Sequence, residues 1–125
     1  MKSLLACGSA LLLLAGCSSG GFAQPKASAF SAGSCQDMAA PVLALGRTLH
    51  GLGASAPTTR QRDDLKAYQG LLRKVTPDSS LAASYDDLVQ KVGIVRLRAD
   101  SNSYDRTVAK AAFTSYEALV KACTA

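Results

Sequence analysis

Residues 34–52 read SCQDMAAPVLALGRTLHGL, and this stretch decides the fold because its apolar residues recur at alternating steps of three and four. That spacing places them on one face of an α-helix. Ser34 is predicted to be the N-cap, with the Asp37 carboxylate in the first turn, and the glycines beyond residue 50 mark the end of the helix. An internal proline removes one hydrogen bond, so we expect a kink at Pro41 or a helix that begins near Ala40. The apolar face consists of Cys35, Met38, Val42, Leu45, Leu49 and Leu52.

A second helix is predicted over residues 59–75. Thr58 and Gln61 have the spacing of a capping box, in which each side chain bonds the other residue's backbone N–H. Pro77 stops this helix, because the residue before a proline disfavours helical geometry. Its buried face is predicted to contain Leu65, Tyr68, Leu72 and Val75, with Leu71 beside it.

Two further helices show the same rhythm. The third is predicted from residue 78 or 80 to Ala99; its end alternates apolar residues with arginines, so a short strand over 92–99 is the alternative, and the helical lead-in favours the helix. The fourth is predicted from residue 102 or 103, with Asp105 in its first turn. The buried residues are Leu81, Tyr85, Leu88, Val92 and Val95 on the third, and Ala109, Ala112, Phe113, Tyr116, Leu119, Val120 and Cys123 on the fourth.

Four helices joined by short loops predict an all-α fold, a small antiparallel four-helix bundle over residues 34–125. In such a bundle the start of the first helix and the end of the fourth are neighbours. Cys35 and Cys123 occupy these two places, so we predict a disulfide between them; two buried free thiols are the alternative. Closing so long a loop stabilises a fold by about 4–5 kcal/mol in the chain-entropy model.

The composition limits the chemistry that the chain can support. With 125 residues, one histidine and one glutamate, it has room for one small domain and excludes a multidomain enzyme. A di-iron bundle needs several glutamates and two histidines. The sequence also has no C-x-x-C-H motif, no glycine-rich phosphate loop and no nucleophile elbow. We therefore expect no catalytic residues, no metal and no cofactor.

Residues 1–16 have the pattern of a secretory signal. Lys2 is followed by an uncharged, apolar stretch from Leu4 to Ala15, which is shorter than the roughly 20 residues of a membrane span. The stretch ends with Leu14 and Ala15, and Gly16 and Cys17 follow directly. Here the sequence resembles a bacterial lipoprotein precursor, whose lipobox reads Leu, then Ala or Ser, then Gly or Ala, then Cys. An ordinary signal peptide with an incidental cysteine is the alternative.

The resemblance implies that Gly16 is the last residue removed and that Cys17 carries the lipid. The protein would then be anchored to a membrane on its extracytoplasmic face, in the cell envelope. Cys7 would be discarded with the signal. Residues 17–33, rich in Ser, Gly and Ala, are predicted to form a flexible tether that reaches about 50 Å when extended. Its two aromatic residues, Phe22 and Phe30, either enter the membrane interface or pack on the domain.

Four aromatic side chains are the candidates for a binding site in the bundle. Tyr68, Tyr85 and Tyr116 fall on predicted buried faces, so they either pack the core or line a pocket for a small apolar ligand, a lipid or haem. His50 lies one step off the apolar face and is interpreted as a rim residue near the helix C-terminal carbonyls. A catalytic His50, acting with an Asp and a hydroxyl, is a further alternative.

The charged residues of the predicted domain give little indication of its binding partners. Residues 34–125 carry 12 basic and 9 acidic side chains, a net charge of +3. Two acidic pairs, 63–64 and 86–87, are interpreted as solvated surface, with Asp87 placed to pair with Lys91. The excess positive charge lies on the second helix, and no nucleic-acid partner is expected. The basic residues of the second helix are Arg60, Arg62, Lys66, Arg73 and Lys74.

We predict a non-catalytic binding or structural role toward an envelope protein or cell-wall polymer. The sequence gives no indication of the oligomeric state.

Overall fold

Four α-helices make up most of the chain in a computed structural model, which describes residues 22–125. They are α1 (Ser34–His50), α2 (Thr59–Arg73), α3 (Ala82–Asp100) and α4 (Arg106–Thr124), and short 3-10 turns at Ala27–Ala29 and Ser79–Leu81 precede α1 and α3. The described residues contain no β-strand, so segment 92–99 is helical. The predicted signal segment 1–16 and the predicted lipid site Cys17 lie outside the described residues.

The helices form a ring in which each packs against the next and α4 packs against α1. Because the loops between them are short, consecutive helices run antiparallel. This arrangement confirms the predicted all-α, four-helix bundle.

The first helix begins at Ser34 and continues through Pro41, which is buried. The alternative start near Ala40 is therefore wrong. Starting earlier buries Cys35 and Met38 on the core side, which offsets the one hydrogen bond that Pro41 lacks. The predicted N-cap Ser34 is wrong: Gly33 caps the helix with φ 92°, a backbone conformation that favours glycine. The Ser34 hydroxyl instead accepts a hydrogen bond from the Asp78 backbone N–H at 2.9 Å.

The capping box of α2 is confirmed. The Thr58 hydroxyl accepts a hydrogen bond from the Gln61 backbone N–H at 3.1 Å, and the Gln61 side chain accepts one from the Thr58 N–H at 2.9 Å. The helix ends at Arg73, two residues before the predicted end.

The predicted start of α4 at residue 102 or 103 is wrong. Asn102 has φ 57°, in the left-handed region, and so interrupts helical geometry. Asp105 instead has an extended backbone and caps the helix, because its side chain accepts a hydrogen bond from the Val108 N–H at 3.2 Å. The helix begins at Arg106.

The core lies along the bundle axis and is built from the predicted apolar faces. Two positions on α2 differ from prediction: Leu71 is 50% exposed, whereas Gln69 is buried at 4% exposure. Gln69 occupies the helical position between Leu65 and Leu72, which faces the core whatever its side chain. The most deeply buried side chains are Met38, Val42, Leu45, Leu65, Leu72, Leu88, Val92, Val95, Leu119 and Cys123.

Cys35 and Cys123 form a disulfide, as predicted. Their Cα atoms are 5.4 Å apart, and both residues are buried where the start of α1 meets the end of α4. The alternative of two free thiols is thereby excluded.

Residues 22–33, which we call the strap, pack on the bundle, whereas the sequence predicts them as part of a free tether. Phe30 is 3% exposed, so this aromatic packs on the domain. Ser31 donates from both its N–H and its hydroxyl to the Cys123 carbonyl, at 2.8 and 2.9 Å. The packed part of the chain thus begins before the predicted boundary at residue 34, because the strap finds partners on α1 and α4 that no local pattern reveals.

Candidate functional site: the aromatic face of α1 and α4

The strap runs antiparallel to α1, along the groove between α1 and α4. Its first described residue, Phe22, contacts the end of α1, and Ser31 contacts the end of α4. Between them, Gln24 donates to the Leu43 carbonyl and to the Tyr116 hydroxyl, each at 2.8 Å. The strap is therefore held to both helices by side-chain hydrogen bonds as well as by apolar contacts.

A cluster of four rings forms where the strap begins. Phe22 stacks on His50 with ring centroids 4.2 Å apart and an interplanar angle of 12°. Phe113 meets Phe22 edge-on at 5.7 Å and lies 5.2 Å from the Tyr116 ring. These are the distances at which aromatic pairs attract each other beyond simple burial. The cluster joins three separate parts of the chain into one surface.

Tyr116 lies at the inner side of this cluster and is 3% exposed. Burial raises the pKa of its hydroxyl above the ordinary value, although the hydrogen bond from Gln24 opposes that shift. Arg47 completes the contact by donating to the Gln24 side-chain oxygen at 3.1 Å. The polar edge of the cluster is thus a hydrogen-bonded chain from α1 through the strap to α4.

Two open clefts flank the cluster and share His50 and Phe113. The first, which we call the Arg106 cleft, has a volume of about 360 Å³ and is lined by Leu49, His50, Leu52, Arg106, Ala109, Lys110, Phe113 and Thr114. The second, the strap cleft, has a volume of about 620 Å³ and lies along the strap beside Tyr116, Glu117 and Lys121. Both combine aromatic or aliphatic side chains with a charged edge, a composition suited to amphipathic ligands.

Arg106 and Lys110 are both exposed at the edge of the Arg106 cleft. They are four positions apart, so they lie on one face of α4. Within the described part of the chain, neither forms an ion pair. The cleft therefore presents two positive charges over an apolar floor.

The three tyrosines predicted as pocket lining are not brought together. Tyr85 is buried and donates to the Leu72 carbonyl at 2.9 Å, which satisfies its hydroxyl within the core. Burial raises the pKa of this hydroxyl. Tyr68 is half-buried in a separate cleft between α1 and α2, and Tyr116 lies in the aromatic cluster. A pocket lined by all three does not form, since their helices point them to different places.

His50 lies at the rim, as predicted, and is exposed. Its partners, however, are the rings of Phe22 and Phe113, and the described residues provide it with no hydrogen bond or ion pair. Nor do residues 22–125 contain a group of three His, Cys, Asp or Glu side chains that could hold a metal ion. The sequence missed this stacking because 28 positions separate the two rings.

Some of the charged groups noted in the sequence form ion pairs. Asp87 pairs with Lys91 at 3.1 Å, which confirms the predicted contact. On the basic helix α2, Arg60 pairs with Asp64 at 3.6 Å and Arg62 approaches Asp100 at 4.0 Å. These exposed pairs reduce the net field of α2, so its positive charge is less concentrated than the sequence suggests.

Comparison with known proteins found no relative: no family model, no curated protein and no solved structure matches this chain. In the part of the chain that the structure describes, none of the helices has the length and apolar character needed to cross a membrane.

Proposed function

We propose that this protein is a membrane-anchored lipoprotein of the cell envelope whose helical bundle has a non-catalytic binding or structural role. The observation that carries the proposal is the run Leu14, Ala15, Gly16 and Cys17 at the end of an apolar segment. Cys17 would receive a diacylglycerol group on the extracytoplasmic face of a membrane. Two acyl chains suffice for stable anchoring, because each buried CH₂ contributes about 0.8 kcal/mol.

The Cys35–Cys123 disulfide supports export. Disulfides form and persist in oxidising compartments outside the cytosol and are rare within it. A lipoprotein bundle on the outer side of a membrane would meet that condition.

The surroundings of His50 support a non-catalytic role. Its ring is stacked on Phe22, and no carboxylate of the described residues orients it, although a general base in a triad needs such a partner. The dense packing of the bundle axis, where Leu45, Leu88 and Leu119 are fully buried, supports a binding surface on the outside over a carrier pocket inside. The partner of that surface would be an envelope protein, a cell-wall polymer or the membrane itself.

Replacement of one cysteine tests the anchoring. The full chain is expressed in a bacterium as wild type, as Cys17→Ser and as Cys7→Ser, and membrane and soluble fractions are separated. Trypsin cleavage after Lys26 releases the peptide of residues 17–26 from the mature protein, and its mass reports any acyl chains on Cys17. We expect the wild type and Cys7→Ser to give a membrane-bound protein with this peptide acylated.

Cys17→Ser should remain unprocessed and carry no acyl chains. An unmodified peptide in the wild type, or normal processing and membrane retention of Cys17→Ser, would contradict the proposal. Cys7→Ser is the matched control, because it removes the other thiol of the same segment.

A further inference from the structure

The docked strap limits how far the bundle can lie from residue 17. Phe22 is the first described residue, and it is held against His50 and Phe113, both of which line the Arg106 cleft. Five residue steps separate Cys17 from Phe22, and an extended chain covers at most about 3.6 Å per step, or about 18 Å. A lipid attached to Cys17 would therefore keep the membrane surface within about 18 Å of Phe22, which contacts two residues of this cleft; a fully free tether would allow about 50 Å.

The side chains of the cleft are complementary to an anionic membrane surface. Arg106 and Lys110 carry two positive charges at its edge, and the apolar side chains of Leu49, Leu52 and Phe113 form its floor. Aromatic side chains are enriched at the headgroup level of membranes, and basic side chains are attracted to anionic headgroups.

Two carboxylates close to these cations in the sequence lie beside other cations. Asp105, adjacent to Arg106, lies 3.8 Å from Arg98, and Glu117 lies in the strap cleft together with Lys121. The edge of the Arg106 cleft thus carries a net positive charge on the face that the tether brings toward the membrane.

We propose that the Arg106 cleft rests on anionic phospholipid headgroups of the membrane that holds the anchor, an inference that depends on the proposed lipidation of Cys17. The phosphate of the headgroup lies between Arg106 and Lys110, and the glycerol region faces Leu52 and Phe113. The bundle is then oriented, with the α1–α4 face toward the lipid and α2 and α3 toward the envelope space.

Energy transfer to labelled lipid measures this orientation in the anchored, full-length protein. A donor fluorophore is attached to Thr114→Cys, an exposed residue of the cleft, or to Ala67→Cys, an exposed residue of α2. The protein is placed in vesicles of phosphatidylcholine alone or of phosphatidylcholine with about 30% phosphatidylglycerol. In both, a small fraction of the lipid carries the acceptor on its headgroup. We expect stronger transfer from the Thr114 label than from the Ala67 label, and a larger difference in the anionic vesicles.

Two pairs of charge substitutions test whether Arg106 and Lys110 cause the larger difference in anionic vesicles. Arg106→Gln with Lys110→Gln should remove the effect of anionic lipid, because each cation near an anionic surface favours contact about fivefold. Lys66→Gln with Lys74→Gln is the matched control: it removes two exposed cations, one from α2 and one from its C-cap, and should leave the effect intact. High salt should weaken the wild-type effect in the same way.

Failure of this inference is distinguishable from failure of the lipoprotein proposal, because the mass of peptide 17–26 is measured on the same preparation. If Cys17 is acylated and both labels transfer equally, or if the α2 pair matters as much as the α4 pair, the cleft does not face the lipid. If Cys17 carries no acyl chain, both proposals are wrong.

Discussion

The ring of Tyr116 on α4 lies directly against the Cα of Gly46 on α1, so that a Cβ at residue 46 would overlap the ring. This close approach brings the two helices together beside the strap, where the Tyr116 hydroxyl accepts its hydrogen bond from Gln24. Glycine at position 46 is thus required by a partner 70 positions away, although glycine weakens a helix interior by itself.

Gly46→Ala should destabilise the protein by about 1–3 kcal/mol, the usual effect of forcing extra volume into a packed core. Gly70→Ala is the matched control, because Gly70 also lies inside a helix but has open space around it. That variant should be more stable by about 0.5–1 kcal/mol through helix propensity alone. Urea unfolding followed by circular dichroism measures both. Equal effects at the two positions would show that Tyr116 imposes no constraint.

Release of the strap should free the backbone after Lys26, whose side chain is already exposed, for cleavage by protease. Phe22→Ala removes the stacking on His50 and the edge contact with Phe113, so the strap should detach more often and trypsin should cleave after Lys26 several-fold faster. Ser28→Ala, an exposed strap residue that makes no side-chain hydrogen bond within residues 22–125, should cleave at the wild-type rate. Timed digestion with mass spectrometry gives the rates. An unchanged rate in Phe22→Ala would mean that the aromatic contact does not hold the strap.

Reduction of the disulfide should lower the unfolding free energy by about 4–5 kcal/mol, because the 88-residue separation makes the constraint on the unfolded chain large. The double variant Cys35→Ala, Cys123→Ala should show the same loss without reductant. Thermal unfolding of wild type and variant, each with and without reductant, tests this. A reductant effect on the double variant would point to some cause other than this bond.

Gln69 joins α2 to α3 inside the bundle. Its side chain donates to the Val89 carbonyl at 2.9 Å and accepts a hydrogen bond from Arg96. Gln69→Leu should destabilise the protein by about 1–3 kcal/mol, since the Arg96 guanidinium loses its acceptor in a partly buried place. Gln90→Leu, on the exposed side of α3, should change stability by less than about 0.5 kcal/mol. Chemical unfolding separates the two, and a neutral Gln69→Leu would show that the bond adds nothing to stability.

Asp87 links α3 to α4 and should make stability depend on acid pH. A hydrogen bond from the Ser115 hydroxyl, and then one from Lys91, lowers the pKa of this carboxyl below its ordinary value. A lowered pKa in the folded state contributes stability above the unfolded-state value of about 4, and this contribution is lost as the pH falls through the folded-state value.

The wild type should therefore lose stability as the pH falls below about 4, and Asp87→Asn should lose less over the same range. Asp86→Asn is the control, because that neighbouring carboxylate is exposed and makes no hydrogen bond or ion pair within residues 22–125. Unfolding free energies measured from pH 7 to pH 2 decide the matter. If all three proteins show the same pH profile, the Ser115 contact does not act on Asp87.

The sequence by itself determined the four helices, the bundle and the disulfide. Helical periodicity is local, so the spacing from Cys35 to Leu52 identifies a buried face without knowledge of its partner. The positions of Cys35 and Cys123 at neighbouring helix ends then follow from antiparallel connectivity. The lipobox is likewise a local pattern, and it remains a sequence-based prediction outside the described residues.

Only the tertiary structure decided the strap and the aromatic face. Residues 22–33 have no periodicity, so their docking depends on surfaces that α1 and α4 create together after they pack. Phe22 and His50 stack, and Gln24 reaches Tyr116, because the groove brings into contact residues that are far apart in the chain. The same reason explains the three tyrosines: their helical spacing marked them as inward-facing, but where each ring lies depends on which neighbouring helix it meets.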